Sequence, residues 1–343
     1  MKFAEALLAL NPYWGKTFWE VIVLFFTRLG EWMKGGVSLS DLAPDEIQLL
    51  VLFFAAISCA LVGAFLILRQ MTMLANSLSH TILMGIVLAY LIMRPFYPSF
   101  LQGQEIVLGT QTLLLASLLT GLLTTLLTQF LIHFMRLQED ASIGLVFTSL
   151  FAIGIVLVTI YTKSAHIGTE AIMGNADALH IHDLKLISLV TLVDFLFFFF
   201  FFKEFKITAF DPQLANSLGI SYQFFNYLLM VLVSATCIGA FRAIGVLLVL
   251  AFLVGPPLTA RFLTDRLGRL LVLAVCIGGI CSFAAVALAR HLLSVYQMPL
   301  STGGLVVVMI ALAYFLAMIF SPKKGLIAKR SSLREKKGVE SIQ

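Results

Sequence analysis

Apolar residues run almost unbroken through nine stretches of the chain, near 47–68, 76–93, 111–132, 143–162, 184–202, 225–241, 243–259, 271–293 and 304–321. None alternates with the period of two that a barrel strand requires, so each reads as a helix. Their lengths approach the roughly 20 residues that cross a bilayer, and a backbone survives in hydrocarbon only with its hydrogen bonds closed internally. The pattern predicts an all-α, polytopic integral membrane helix bundle of about nine or ten spans. The shorter runs suit half-helices or broken helices, which line pathways.

The first 45 residues follow another pattern. Glu20, Thr27, Glu31 and Lys34 recur at helical spacing and leave Ile22, Phe25, Phe26 and Leu29 on a different face. All three tryptophans (Trp14, Trp19 and Trp32) lie here as well. That combination predicts an amphipathic helix lying at the headgroup level, with a short extra span as the rival reading. The organisation is therefore an interfacial segment at 1–45, a transmembrane domain at 46–321 and a basic tail at 322–343.

Composition agrees: 60% of the residues are hydrophobic and 12% charged, where a soluble domain carries about twice that charge. The tail holds seven basic residues against two acidic ones and accounts for the whole formal excess of +5. A cation excess confined to one membrane flank reads as a cytoplasmic anchor and argues against nucleic acid as a partner. With the tail inside, Arg261, Arg266, Arg269, Lys203, Lys206 and the stretch from His133 to Asp140 also fall inside. Cys59, Cys237, Cys276 and Cys281 sit in apolar runs without zinc-site spacing and read as packing residues.

Several polar groups interrupt the apolar runs. In "MLANSLSHTILMG" (73–85), Asn76 and His80 stand four apart and share a helix face. An imidazole, an amide oxygen and the nearby Met73 and Met84 thioethers suit a passing transition metal ion, and polar groups inside a membrane mark pathways. The same pair also suits plain hydrogen bonding between helices. Asp194 lies roughly 12 Å inside the edge marked by Lys203; it suits a cavity lining or a pairing with a cation such as Arg242. Gly255, Pro256 and Pro257 end an apolar run, where two missing N–H groups predict a kink or stop and a possible gate. His166, His180 and His182 form a candidate metal entrance, the His180–His182 spacing suiting a strand better than a helix.

One connection is sharply punctuated. In "FKITAFDPQLANSLGI", Asp211 is a natural N-cap, Pro212 suits the first helical position and Gly219 suits a left-handed helix end. A short helix from Pro212 to Leu218 is predicted, rigid enough to carry a push from a soluble partner. The chain lacks GxxxxGK[ST], HExxH and GxSxG patterns, so nothing in it reads as an ATP-binding loop, a zinc protease or an esterase. No enzyme activity is predicted.

Five stretches, in order, resemble one family. "GAFLILRQMTMLANSLSHTILMG", "EDASIGLVFTSLFAIGIVLV", "IMGNADAL", "FKEFKITAFDPQLANSLGI" and "VSATCIGAFRAIGVLLVLAFLVGPPLTARFL" are similar to segments of the permease subunits of bacterial ABC importers for zinc, manganese and iron. The resemblance spans roughly residues 47 to 321. It implies a type II ABC-importer-like fold in the bacterial cytoplasmic (inner) membrane. It implies a second permease subunit (the same chain or a related one), two cytoplasmic ABC ATPase subunits that use ATP, and an extracytoplasmic metal-binding protein. No cofactor is bound by this chain; the divalent metal is cargo. His80 and Asn76 become the metal site in the path, and Asp211, Pro212, Leu214, Ala215 and Gly219 the coupling helix on the ATPase. The family carries an acid four residues before its histidine; here that position holds Asn76, which offers a carbonyl dipole in place of a full charge. The competing readings are a permease for a metal chelate or cobalamin-like cargo, and a proton-coupled secondary metal transporter built on Asp194.

Overall fold

A computed structural model describes residues 12–13, 15–33, 42–93, 110–162, 176–321 and 325. His166 and the charged residues of the tail lie outside the described residues. The described chain forms helices α1 (Phe18–Met33), α2 (Pro44–Leu68), α3 (Thr72–Met93), α4 (Thr110–Phe134), α5 (Glu139–Thr162) and α6 (Ile181–Phe200). These are followed by α7 (Phe202–Phe210), α8 (Pro212–Ser217), α9 (Tyr222–Ile244), α10 (Val246–Leu263), α11 (Leu267–Tyr296) and α12 (Thr302–Phe320). Each of the nine apolar runs falls on a helix, which establishes the all-α membrane bundle. Among the described residues six helices are long and apolar enough to cross a bilayer, and α6 with α7, bent by 74° at Phe201, makes a seventh candidate.

The helices divide into two compact units. The first takes its described residues from positions up to 64, from 176–191 and from 251 onward. Its packing depends on small residues, which bring helix backbones close where lipid offers no hydrophobic drive for association. A Cβ on Gly255 of α10 would fall on the Ile310 side chain of α12, and one on Gly278 of α11 would lie 3.1 Å from the Ala56 Cβ of α2. Of the kink or stop expected at Pro256 and Pro257, the stop does not occur, since both lie inside α10. A proline removes the donor for the carbonyl four residues earlier, here Phe252 and Leu253. A Cβ on Gly63 would fall onto that Leu253 carbonyl, so α2 lays its backbone against one of the freed acceptors. Tertiary packing thus carries the helix through the two prolines.

The same unit holds a polar cluster around the start of α2. Glu46 accepts from the Tyr13 hydroxyl at 2.8 Å and the Ala43 N–H at 2.9 Å, and pairs with Arg28 of α1. Burial and the adjacent carboxylate push the Tyr13 phenol far up from its ordinary value, while the hydrogen bond to Glu46 raises Arg28. Asp45 pairs with Arg290 of α11. Gln48 donates to the Ala176 carbonyl at 2.7 Å and to Asp177 at 3.1 Å, and Asp177 accepts the Thr302 N–H at the head of α12. The amphipathic helix is present as α1, but its sides differ from expectation. Val21 and Phe25 are buried, with Phe25 edge-on to Phe283, while Trp19, Val23 and Phe26 are exposed.

The second unit takes its described residues from 65–162 and 192–250. Here α3 lies between α4 and α5. A Cβ on Gly85 of α3 would strike the Thr120 hydroxyl of α4, and one on Gly154 of α5 would sit 3.2 Å from the Met84 amide. Phenylalanines fill the base of the unit, Phe65 stacking on Phe198 at 4.9 Å and Phe205 lying against both. Gly245 alone joins α9 to α10. Its φ of 87° and ψ of 158° belong to a region essentially restricted to glycine.

Candidate functional site

Exposure within the second unit separates two kinds of helix face. The open faces of α4 and α5 are largely apolar: Leu119, Leu126 and Phe130, and Leu145, Val156 and Ile160, are all exposed, and the exposed Thr148, Ser149 and Thr159 of α5 return their hydroxyls to carbonyls of their own helix. That is what lipid or a packed partner requires. The open face of α3 differs. Met73, Asn76 and His80 are exposed at intervals of three and four residues, while Leu74, Ala75, Ser77 and Leu78 between them, and Thr81 just beyond, are buried. Asn76 and His80 therefore share one face, as their spacing predicts. The imidazole lies against Phe147 and Phe151 of α5, with ring centroids 5.2 and 5.4 Å away. Two aromatic rings fix the plane of the imidazole and leave its open side on the α3 stripe. Lipid is a poor neighbour for a stripe that exposes an imidazole and an amide. Among the described residues, no three His, Cys, Asp or Glu side chains come together as a metal-holding group.

Asp194 presents the opposite case. It is fully buried, and its Oδ2 accepts from the Thr236 hydroxyl of α9 at 2.7 Å. Thr236 is itself buried. The sequence located the acid inside the membrane but not this hydroxyl, which sits 42 residues away.

The short helix α8 forms as the punctuation predicts, ending one residue early because Leu218 serves as its C-cap. The Asp211 carboxylate accepts from the Gln213 and Leu214 N–H groups, both at 3.0 Å, and Pro212 occupies the first turn. Gly219 has φ +78° and open space where a side chain would be, so backbone conformation and not room selects glycine there. Ala215 is buried and its carbonyl accepts the Ile220 N–H at 2.9 Å, locking the helix end. The neighbouring Leu214 and Leu218 are exposed apolar residues at this short capped element.

His180 and His182 are exposed, and the strand expected for them is absent: α6 begins at Ile181. The cause is Asp183, whose carboxylate reaches back to the His180 N–H at 3.0 Å and caps the helix.

Sequence spacing missed one buried contact set. Arg69, in the turn between α2 and α3, donates to Asn226 of α9 at 2.6 Å and to Thr208 of α7 at 2.9 Å, with its guanidinium 5.4 Å from the Tyr222 ring. The lone signal was an arginine at the mouth of an apolar run.

A multi-pass helical protein with a polar stripe on one open helix face and a rigid capped helix outside its spans defines the permease class of membrane transporter. The ABC 3 transport family matches residues 47–321, and the chain belongs to it. It is thus the membrane subunit of an ABC transporter in the inner membrane and not an enzyme, the ATPase being a separate subunit; the reading of its motifs as those of metal-uptake permeases is upheld. A probable metal transport system membrane protein of Chlamydia trachomatis is 38% identical over 95% of this chain and 98% of its own length. The manganese transport system membrane protein MntD of Bacillus subtilis is 37% identical over 80% of this chain and 91% of its own. Among solved structures, a chain of PsaBC from Streptococcus pneumoniae, in complex with Fab, is similar with a TM-score of 0.65 and 25% identity, covering 86% of this chain and 97% of that one.

Proposed function

We propose that this chain is one half of the translocation path of an ATP-driven importer of a divalent transition metal ion. The observation that carries the reading is the exposed stripe of Met73, Asn76 and His80 on α3, which puts an imidazole and an amide beside open faces that are largely apolar and whose hydroxyls on α5 bond back to their own helix. A second permease subunit, the same chain or a related one, covers that stripe and completes the coordination of the ion. Manganese heads the candidates, supported by the Bacillus relative; zinc and iron suit the same imidazole and oxygen donors. Asn76 supplies a neutral oxygen where an acid would hold the ion more tightly, so either the partner subunit brings the charge or the site favours quick release. His180 and His182 are exposed, and in this reading they are a place where an ion released by an extracytoplasmic metal-binding protein is first met.

Nine crossings follow from this reading: α2, α3, α4, α5, α6 with its bent continuation α7, α9, α10, α11 and α12. Residues 1–45 are the interfacial segment, 46–321 the permease domain and 322–343 the cytoplasmic tail. The cytoplasmic ATPase docks on α8 through Leu214 and the surface held by Asp211, Pro212, Ala215 and Gly219. Gly255, Pro256 and Pro257 serve packing of α10, and any gating motion there would have to separate Gly63 from the Leu253 carbonyl. A proton-coupled mechanism finds less support, because Asp194 is buried and bonded to Thr236. The experiment is manganese uptake by the assembled complex in proteoliposomes. Uptake should require ATP and be lost in His80→Ala with assembly intact; uptake driven by a pH gradient without ATP would overturn the proposal.

A further inference from the structure

Arg69 belongs to neither the metal stripe nor the coupling helix, yet its position connects them. It follows the last residue of α2, and the turn it opens closes tightly: Gln70 is left-handed at φ 61°, and the Met71 N–H reaches the Leu66 carbonyl at 3.0 Å. Three residues after Arg69, α3 begins. The guanidinium leaves this turn and divides its donors between two other helices. One nitrogen meets the Thr208 hydroxyl, three residues before the Asp211 cap; the other meets Asn226, in the second turn of α9. Tyr222, the first residue of α9, lies against its face. Thr208 and Asn226 are both buried. Helices α7 and α9 are the two arms that carry α8: Asp211 ends α7 and caps α8 at once, and Gly219 to Ser221 lead directly into α9. The clamp therefore grips both arms of the coupling helix from the root of the helix that bears Asn76 and His80.

The chemistry of the clamp suits repeated opening. Among the described residues the guanidinium has no ion-pair partner, Glu139 at the head of α5 acting on it only at longer range. Its partners are a hydroxyl, an amide and a ring, and its Nε–H is buried without an acceptor. A buried ion pair with a carboxylate is costly to break; neutral acceptors hold the same cation more loosely. Planar geometry makes arginine the side chain that can serve two acceptors and a ring together.

We propose that Arg69 is a positioning residue that transmits displacement of the coupling helix to α3, so that ATP use and ion passage stay linked. The inference rests on the reading of α8 as the coupling helix. The test measures manganese uptake and phosphate release together, in proteoliposomes holding this chain with its second permease subunit, its ATPase and its binding protein. Arg69→Met should assemble and hydrolyse ATP while ions imported per ATP fall at least about tenfold, the size of an ordinary coupling between sites. Arg69→Lys should fall between that and wild type, because an ammonium reaches one acceptor but cannot hold two in a plane. Thr208→Val and Asn226→Leu, each sparing one arm, should lower the ratio less and in the same direction.

A wild-type ratio in assembled Arg69→Met overturns the proposal. Should Arg69→Met fail to assemble, wild-type ratios in Thr208→Val and Asn226→Leu overturn it as well. Leu214→Asp is run alongside. If it uncouples while the Arg69, Thr208 and Asn226 variants do not, the clamp alone is wrong; if it too is fully coupled, the coupling-helix reading fails and takes the clamp with it.

Discussion

His80 and Asp194 are both polar groups set deep in apolar helices, and the structure treats them in opposite ways. Asp194 is fully buried, and the Thr236 hydroxyl donates to one oxygen of its carboxylate inside the protomer. His80 is turned outward, wedged between two phenylalanine rings, on a stripe it shares with Asn76. A buried hydroxyl–carboxylate contact between two helices holds them together. An outward polar stripe is open to a second subunit and to what passes between the two. Position within an apolar run is the same clue in both cases; exposure is what separates the structural reading from the proposed pathway.

The largest effect that would break this contrast is expected at His80. His80→Ala should lower manganese uptake by at least about 100-fold, since metal sites already lose 10- to 100-fold when only a supporting residue is removed. Wild-type uptake would place His80 with Asp194 as structure. Next comes α8, the proposed coupling helix. Gly219→Val forces a β-branched residue into a left-handed conformation, a strain of about 1–2 kcal/mol, and should lower coupled ATP hydrolysis or ATPase assembly. Normal coupled hydrolysis would detach α8 from the mechanism.

Asn76→Asp sharpens the contrast from the other direction. A full charge one helical turn from His80 should raise the affinity of the assembled complex for manganese by about tenfold and slow release, measured by metal binding and by turnover. No change in either would remove Asn76 from the ion's route. The smallest effect is expected at the buried pair. Thr236→Val should cost about 1 kcal/mol of stability through the lost hydrogen bond, seen in thermal unfolding, and leave uptake near wild type. Collapse of uptake in a stable Thr236→Val protein would make the buried acid part of the pathway.

How much of this was legible in the chain depended on range. Local chemistry could be read directly. Nine apolar runs became helices, Asp211 capped α8, Gly219 took the positive φ that ends it, and Asn76 and His80 shared a face because helical spacing puts them there. Local reasoning failed where distant packing intervened. Pro256 and Pro257 read as a kink or stop, and α10 continues through them where α2 and α12 close around it at Gly63 and Ile310. His180 and His182 read as strand-like, and the cap from Asp183 places them at the head of a helix. Arg69 gave little signal because its partners stand 139 and 157 residues away, and the seating of α1 depends on a Tyr13–Glu46 bond spanning 33. Spacing encodes which residues share a face; it does not encode which face meets which.

The central claim is that this imidazole touches the ion. Pulsed electron paramagnetic resonance of manganese held by the assembled, ATP-free complex counts the imidazole nitrogens bound to it. The account expects fewer such couplings in His80→Ala than in the wild type, in a complex that still assembles. An unchanged count would contradict it.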